Sequence, residues 1–132
     1  MANLRNLDRI FTAPIGTAVT VGHNRTIEQT EPNRFTCRLY GHPIVVVTAH
    51  GAAGTASVEL DACGYLTTTT IAAMGDFMRA FGVAGSASRA GGILSARWFG
   101  DGWKESEAET GVDMLRFWAN RNPSRDMLNA AA

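Results

Sequence analysis

Three histidines are the residues of this chain best suited to metal binding or to acid–base chemistry. His23, His42 and His50 lie on or beside predicted turns of a sheet. Neutral imidazole is a common zinc ligand, and three converging turns could bring the rings together. Their spacing matches no metal-binding motif. We therefore expect structural or solvent-exposed histidines, and neither a metal ion nor another cofactor.

The two cysteines are the next candidates for chemistry. Cys37 and Cys63 lie in strand-like patterns, where a thiol packs as a small apolar side chain. The N-terminal residues lack the apolar core of a secretion signal, so we expect reduced thiols rather than a disulfide. No nucleophile stands at a recognisable spacing from a base. We expect a protein that is not an enzyme, with catalysis by His42, His50 or Cys63 as an alternative.

An acidic cluster and a tryptophan surround a predicted hairpin in the last third of the chain. Asp101, Glu105, Glu107 and Glu109 could bind a divalent cation, imitate nucleic-acid phosphates toward a basic partner, or complement the dipole at a helix start. Trp103 lies in the same hairpin, and exposed tryptophans are frequent anchors of protein interfaces. We therefore predict that a protein partner binds at Trp103, Asp101, Glu105 and Glu107.

Arginine, tyrosine and threonine side chains form a third group of candidates. Arg34, Arg38 and Tyr40 lie on the early strands, where such residues can contact single-stranded nucleic acid. Thr67 and Thr68 begin a predicted helix, whose free amides attract anions. Ordinary surface arginines and simple helix capping explain the same residues. Contact of these five residues with nucleic acid or an anion is the alternative to the protein partner.

The bulk properties of the chain indicate one folded domain. Its 132 residues suit a single domain, 1–132, and 45% of them are apolar. Twelve basic residues balance twelve acidic ones, so the net charge creates no field that attracts nucleic acid or a membrane. A neutral protein has no net charge repulsion between copies, so a homodimer is an alternative to a monomer. No apolar run approaches the roughly 20 residues of a membrane span. We expect a soluble, cytoplasmic protein without a membrane partner.

Alternating apolar residues predict a sheet in the first half of the chain. Residues 1–15 have the apolar spacing of a short helix or an N-terminal arm. Strands are then predicted at 17–21, 26–30, 35–40, 44–47 and 57–61. The run at 44–47 is apolar throughout, which is typical of a strand that is covered on both faces.

Helical spacing of apolar residues begins after Thr67. The apolar stripe consists of Ile71, Met74, Phe77, Met78 and Phe81. Thr67 or Thr68 can cap this helix, and Gly82 can end it. The small polar residues of 85–92 predict a loop, and a hairpin follows at 93–105 around Gly100-Asp101-Gly102.

A second helix is predicted near the C-terminus. Ser106 and Glu109 form a capping box, and the helix ends before Asn122-Pro123. Its apolar face consists of Val112, Leu115, Phe117 and Trp118. Residues 124–132 form a C-terminal tail. The whole pattern predicts an α+β fold, with a mainly antiparallel sheet packed by one central amphipathic helix and with a C-terminal hairpin and helix.

Two stretches of the chain resemble a widespread group of small phage-encoded proteins. They are Leu39-Tyr40-Gly41-His42-Pro43-Ile44 and the segment from Val58 to Thr70. In that group an apolar strand leads to glycine, an aromatic residue and a threonine-rich helix start, and a tryptophan-containing strand follows, here at Trp98. The resemblance covers residues 35–103. The chain departs from it at Ile71-Ala72-Ala73, where basic residues often follow the threonines, which argues against nucleic-acid contact by this helix.

The resemblance, together with the lack of catalytic spacing, implies a non-enzymatic phage accessory protein in the host bacterial cytoplasm. Our leading expectation is that it binds a host or phage macromolecule stoichiometrically, as an inhibitor of a bacterial defence system such as CRISPR. A nucleic-acid-binding module and a virion or assembly component are the alternatives.

Overall fold

Two antiparallel sheets and one long helix make up the described part of the protein. The computed structural model describes residues 4–50 and 54–121. The helices are α1 Arg9–Thr12 and α2 Thr68–Ala80, and the strands are β1 Ala18–Gly22, β2 Arg25–Glu31, β3 Arg34–Leu39, β4 His42–Ala49, β5 Thr55–Asp61, β6 Gly85–Ala90, β7 Ile93–Gly100, β8 Gly102–Glu107 and β9 Met114–Asn120. One sheet has the order β1-β2-β3-β4-β5-β9, and the other has the order β6-β7-β8. The predicted α+β class with a mainly antiparallel sheet is confirmed.

The six-stranded sheet buries one face and leaves the other polar. Phe35 pairs with Val47, and Cys37 pairs with Val45, on the buried inner face. The alternate residues point to the outer face, where Val46 is only half-buried. The expectation that β4 is covered on both faces is therefore too strong. Part of its continuous apolar run is explained by a β-bulge, because Ile44 has no partner in β3 between Val45 and Pro43, and Ile44 and Val45 are both buried.

The central amphipathic helix predicted after Thr67 is confirmed as α2. Thr67 is its N-cap, and the Thr67 hydroxyl oxygen accepts a hydrogen bond from the Thr70 amide at 3.2 Å. Gly82 follows the helix with a φ of +75°, the left-handed conformation that glycine adopts most easily. The buried face consists of Thr70, Ala73, Met74, Gly75, Asp76, Phe77, Met78 and Ala80. This face packs α2 against the core.

The predicted C-terminal helix is wrong, because its residues form β8, a turn and β9. Ser106 lies inside β8 rather than at a helix start, and Gly111, with a φ of +80°, lies in the connection. In β9, Leu115 and Phe117 point inward at period two and pair with Leu60 and Val58 of β5. The apolar residues of this segment fit both periods. Pairing with a strand more than fifty residues away decides between them.

The predicted loop at 85–92 is also wrong in part, because Gly85–Ala90 is strand β6. Only Gly91 and Gly92 form the turn to β7, with φ angles of +60° and +74°. Most residues of β6 are exposed, so its sequence of small polar residues shows no alternation of apolar and polar side chains that would predict a strand. Gly85 has a specific role here, since an added Cβ would lie 2.5 Å from the carbonyl oxygen of Arg97. Glycine allows the close approach of β6 to β7.

The two ends of the chain differ in how much of them is described. Within the predicted N-terminal segment 1–15, Arg9–Thr12 forms α1, and Leu7 and Ile10 are buried. The predicted tail, residues 124–132, lies outside the described residues. Among the described residues, neither helix has the length and apolar character that crossing a membrane requires.

Candidate functional site

The outer face of the β7–β8 hairpin carries most of the residues predicted to bind a protein. Phe99 pairs with Trp103, and Arg97 pairs with Glu105. Directly opposite residues of an antiparallel pair share a face, so these four side chains and that of Glu107 lie together. We call this set, Arg97, Phe99, Trp103, Glu105 and Glu107, the Trp103 face. Of the four predicted residues, Asp101 alone lies beside it, in the turn between the strands.

Trp103 is held in place on this face although 56% of its surface is exposed. The ring of Phe99 meets it edge to face, with 5.5 Å between ring centroids. The guanidinium carbon of Arg97 lies 4.7 Å from the centre of the Trp103 ring. Edge-to-face and cation–π contacts both favour a fixed ring. Trp103 is thus an exposed and oriented aromatic side chain, which is typical of an interface anchor.

Arg97 and Phe99 are residues of this face that sequence analysis missed. The hairpin around Gly100-Asp101-Gly102 was predicted, and its register places Gly100 opposite Gly102. Counting outward from that pair assigns Phe99 to Trp103 and Arg97 to Glu105. The register of a short hairpin was therefore a usable signal for both residues.

A cleft beside the start of α2 contains some of the residues predicted to contact nucleic acid or an anion. Its volume is about 470 Å³, which is in the range of small-molecule sites. We call it the α2 cleft. It is lined by Leu39, Tyr40, His42, Ile44, Ala62, Tyr65, Thr67, Thr69 and Thr70. The rings of two of these residues, His42 and Tyr65, lie 5.0 Å apart between centroids. Two of the five residues predicted for nucleic acid or anions, Tyr40 and Thr67, line this cleft.

Thr68 lies beside a basic residue that sequence analysis missed. Arg89 of β6 donates hydrogen bonds to the carbonyl oxygen of Leu66 at 2.7 Å and to the Thr68 hydroxyl oxygen at 3.3 Å. A positive charge therefore stands near the amides at the start of α2. The segment was predicted to be a loop, so its arginine could not be placed from the sequence.

The remaining two predicted residues, both arginines, do not join this cleft. Arg38 lies on the outer face of the six-stranded sheet and contacts Glu28 at 2.7 Å. Arg34 lies on the same face, 3.8 Å from Glu59. Each guanidinium thus has a neighbouring carboxylate that offsets its charge. The structure separates Arg34 and Arg38 from Tyr40 and the threonines.

The histidines and cysteines are dispersed. His42 begins β4 and His50 directly follows it, and the ring of His50 lies 4.7 Å from the ring of Trp118 between centroids. Within residues 4–50 and 54–121, no three His, Cys, Asp or Glu side chains are grouped so that they could hold a metal ion. Cys37 and Cys63 are free thiols. Burial raises the pKa of the Cys37 thiol, and burial followed by the nearby Asp61 carboxylate raises that of Cys63.

Comparison with known proteins identified no relative of this chain. No protein-family model, no curated protein and no solved structure matches the chain. The Trp103 face and the α2 cleft are therefore the observations from which a function can be argued.

Proposed function

We propose that this is a non-enzymatic phage accessory protein that binds a host or phage protein stoichiometrically through the Trp103 face. Inhibition of a bacterial defence system such as CRISPR is the role that we propose to test first. The phage context comes from the resemblance carried by Leu39–Ile44, Val58–Thr70 and Trp98. The binding role is supported by the Trp103 face itself.

One observation carries the binding proposal. Trp103 is a large apolar side chain at the surface, and two neighbours on its own hairpin orient it. An oriented ring loses little conformational entropy when a partner covers it, so more of the burial energy contributes to affinity. Glu105 and Glu107 beside it supply a charged margin that can select a basic partner.

The first experiment is affinity capture from a phage-infected bacterial lysate, with and without nuclease, followed by mass spectrometry. Trp103→Ala should lower the affinity for the captured partner by about thirtyfold or more, since truncation of a tryptophan anchor costs about 2 kcal/mol. Trp118→Ala is the matched control, because Trp118 is also exposed but lies on β9 of the other sheet. Capture that is equal for wild type and Trp103→Ala would reject the proposal.

The inhibitor role needs its own measurement. Cells that express the protein should lose part of their CRISPR protection against a phage that they normally resist, and the Trp103→Ala variant should restore it. Full protection in the presence of the wild-type protein would reject the inhibitor role and leave the binding proposal standing. Co-purification with phage particles would instead favour a virion component.

A specific observation at the α2 cleft favours a second candidate function, binding of single-stranded nucleic acid. Tyr40, with a φ of +51°, and Gly41, with a φ of +80°, form the two-residue turn between β3 and β4, which explains the left-handed conformation. Tyr40 lines the cleft with 61% of its surface exposed. The rings of Tyr40, His42 and Tyr65 offer stacking surfaces, and Arg89 lies at the start of α2 nearby.

Labelled single-stranded DNA and RNA test this second function. Stacking contributes about 1–3 kcal/mol per base, so Tyr65→Ala should weaken binding by about fivefold or more, and higher salt should weaken it further. Arg34→Gln is the control, since Arg34 lies outside the cleft and beside Glu59. Binding that neither salt nor Tyr65→Ala changes would exclude the α2 cleft as its site.

A further inference from the structure

Strand β8 is an exposed edge of the three-stranded sheet. Among the described strands it pairs only with β7, and all six of its residues, Gly102–Glu107, are exposed. An edge strand presents backbone N–H and C=O groups that another extended chain can pair with. The Trp103 face lies directly on this edge.

The hydrogen bonds of β7 indicate which backbone groups of β8 point outward. The amide of Phe99 donates to the carbonyl oxygen of Ala84 at 3.0 Å, so the polar backbone groups of Phe99 point toward β6. The residue opposite such a position belongs to a non-hydrogen-bonded pair. That residue is Trp103. Its N–H and C=O, and at period two those of Glu105 and Glu107, therefore point away from β7.

The outward backbone groups and the exposed side chains belong to the same three residues. A strand that pairs with this edge would place its own side chains about 5 Å from those of Trp103, Glu105 and Glu107. Lysine or arginine opposite the two glutamates would form cross-strand ion pairs, and an apolar residue opposite Trp103 would cover the indole. Arg97 lies opposite Glu105 and offsets one of these two charges, so the face keeps a net negative charge that favours a basic strand.

The same charges disfavour pairing of β8 with a second copy of the chain. Antiparallel pairing centred on Lys104 places two ammonium groups opposite each other, and pairing centred on Glu105 does the same with two carboxylates. Like charges directly opposite each other are destabilising, and charged residues on edge strands prevent self-association. These two registers are therefore unfavourable for a second copy, whereas a strand of opposite charge meets no such repulsion.

We propose that β8 docks an extended segment of the partner protein, with lysine or arginine at alternate positions, as a fourth strand of the β6–β8 sheet. This inference rests on the proposed function, because it names the class of partner and the binding mode for the Trp103 face. Affinity would come from backbone hydrogen bonds along the edge, and specificity from Glu105, Glu107 and Trp103.

A displayed library of random dodecapeptides is the probe. Selection on the full-length protein should enrich peptides with basic residues at alternate positions. Hydrogen exchange should show that a selected peptide protects the amides of Trp103, Glu105 and Glu107, while those of Lys104 and Ser106 change little because they already face β7.

Glu105→Pro removes one outward N–H and should lower affinity about fivefold or more. Glu105→Gln keeps that N–H, so it should lower affinity less and in a salt-dependent way.

Several results would overturn this inference. They are no enrichment, enriched peptides without basic alternation, equal affinity for wild type and Glu105→Pro, or a peptide whose binding survives N-methylation of each of its two alternate sets of residues in turn. A dimer that Glu105→Pro converts to a monomer would assign the edge to a second copy. If Glu105→Pro has no effect while Trp103→Ala still abolishes capture from lysate, the docking mode fails and the proposed function stands. If Trp103→Ala has no effect on capture, the proposed function fails.

Discussion

Cys37 makes the stability of the protein sensitive to alkaline pH. Its thiol is fully buried, and this burial raises its pKa above the usual value of 9.0, while the neighbouring Arg38 opposes part of the shift. The folded thiol therefore keeps its proton at a pH where the unfolded thiol ionises. Its contribution to stability is fully present below about pH 9 and is lost as the pH rises further.

Urea titration in reductant from pH 8 to pH 10.5 tests whether stability falls as the pH rises. It compares the free energy of unfolding of wild type with that of Cys37→Ala. Cys37→Ala should be the less stable protein at pH 8, because it leaves a cavity. The difference should shrink by about 1.4 kcal/mol per pH unit above pH 9. A difference that does not vary with pH would contradict the raised pKa.

Thr67 stabilises α2 as its N-cap. Thr67→Ala removes the acceptor for the Thr70 amide and should lower the free energy of unfolding by about 1 kcal/mol. Thr69→Ala is the matched control, because Thr69 is exposed inside the first turn of α2. Alanine favours helix there, so stability should stay equal or rise slightly. Equal losses in thermal unfolding of the two variants would exclude the cap.

Side-chain contacts across the fold were harder to predict than local ones. A cap at Thr67 or Thr68 follows from threonines before an apolar stripe, which is a local pattern, and the structure decides for Thr67. The position of Arg89 beside Thr68 depends on packing of β6 against α2, which no local pattern encodes. Two sets of roles stay predictions: partner binding by Trp103, Asp101, Glu105 and Glu107, and contact with nucleic acid or an anion by Arg34, Arg38, Tyr40, Thr67 and Thr68.

At the scale of elements, β9 shows where periodicity fails as a guide. Its apolar residues match helical spacing and strand alternation equally well, so only the partner strand β5 resolves the ambiguity. The strands β1 to β5 were predicted from alternation or, in β4, from a continuous apolar run, and from the turn residues that bound them. Strand β6 was missed because an exposed strand of small residues has no apolar face to detect.

Adjacent residues of β9 provide a sharp test of this strand. Phe117 is buried and stacks on Trp98 with 4.1 Å between ring centroids, whereas Trp118 is 60% exposed on the opposite face. Phe117→Ala should cost about 3–5 kcal/mol of stability, and Trp118→Ala about 1 kcal/mol or less. Urea unfolding measures both. Comparable losses would contradict the alternation of the two faces.

At the scale of the whole molecule, a buried carboxylate joins the helix to the far end of the large sheet. Asp76 of α2 contacts Arg25 of β2 at 2.6 Å and Arg79 at 2.5 Å. The side chains of Asp76 and Arg25 are only 6% and 11% exposed. Removal of one partner leaves the other charge buried and uncompensated, which is more costly than the loss of a surface pair.

Asp76→Asn should therefore lower the free energy of unfolding by about 3 kcal/mol. Glu28→Gln is the control, since it breaks an ion pair of similar length, Glu28–Arg38, whose side chains are more exposed. Its loss should be below about 1 kcal/mol. Chemical unfolding of both variants measures the difference. A larger loss in Glu28→Gln would contradict the role of Asp76 in joining α2 to the sheet.

The amino-acid sequence by itself determined the α+β class, the first five strands, α2 with a threonine cap, and the hairpin that presents Trp103. Each of these follows from interactions between residues that are close in the chain, where periodicity, capping and turn residues act. The tertiary structure decided that 114–120 is a strand, that β6 completes a second sheet, and that Tyr40 and Thr67 share a cleft away from Arg34 and Arg38. These features depend on pairing and packing of residues far apart in sequence, whose energy no local pattern contains.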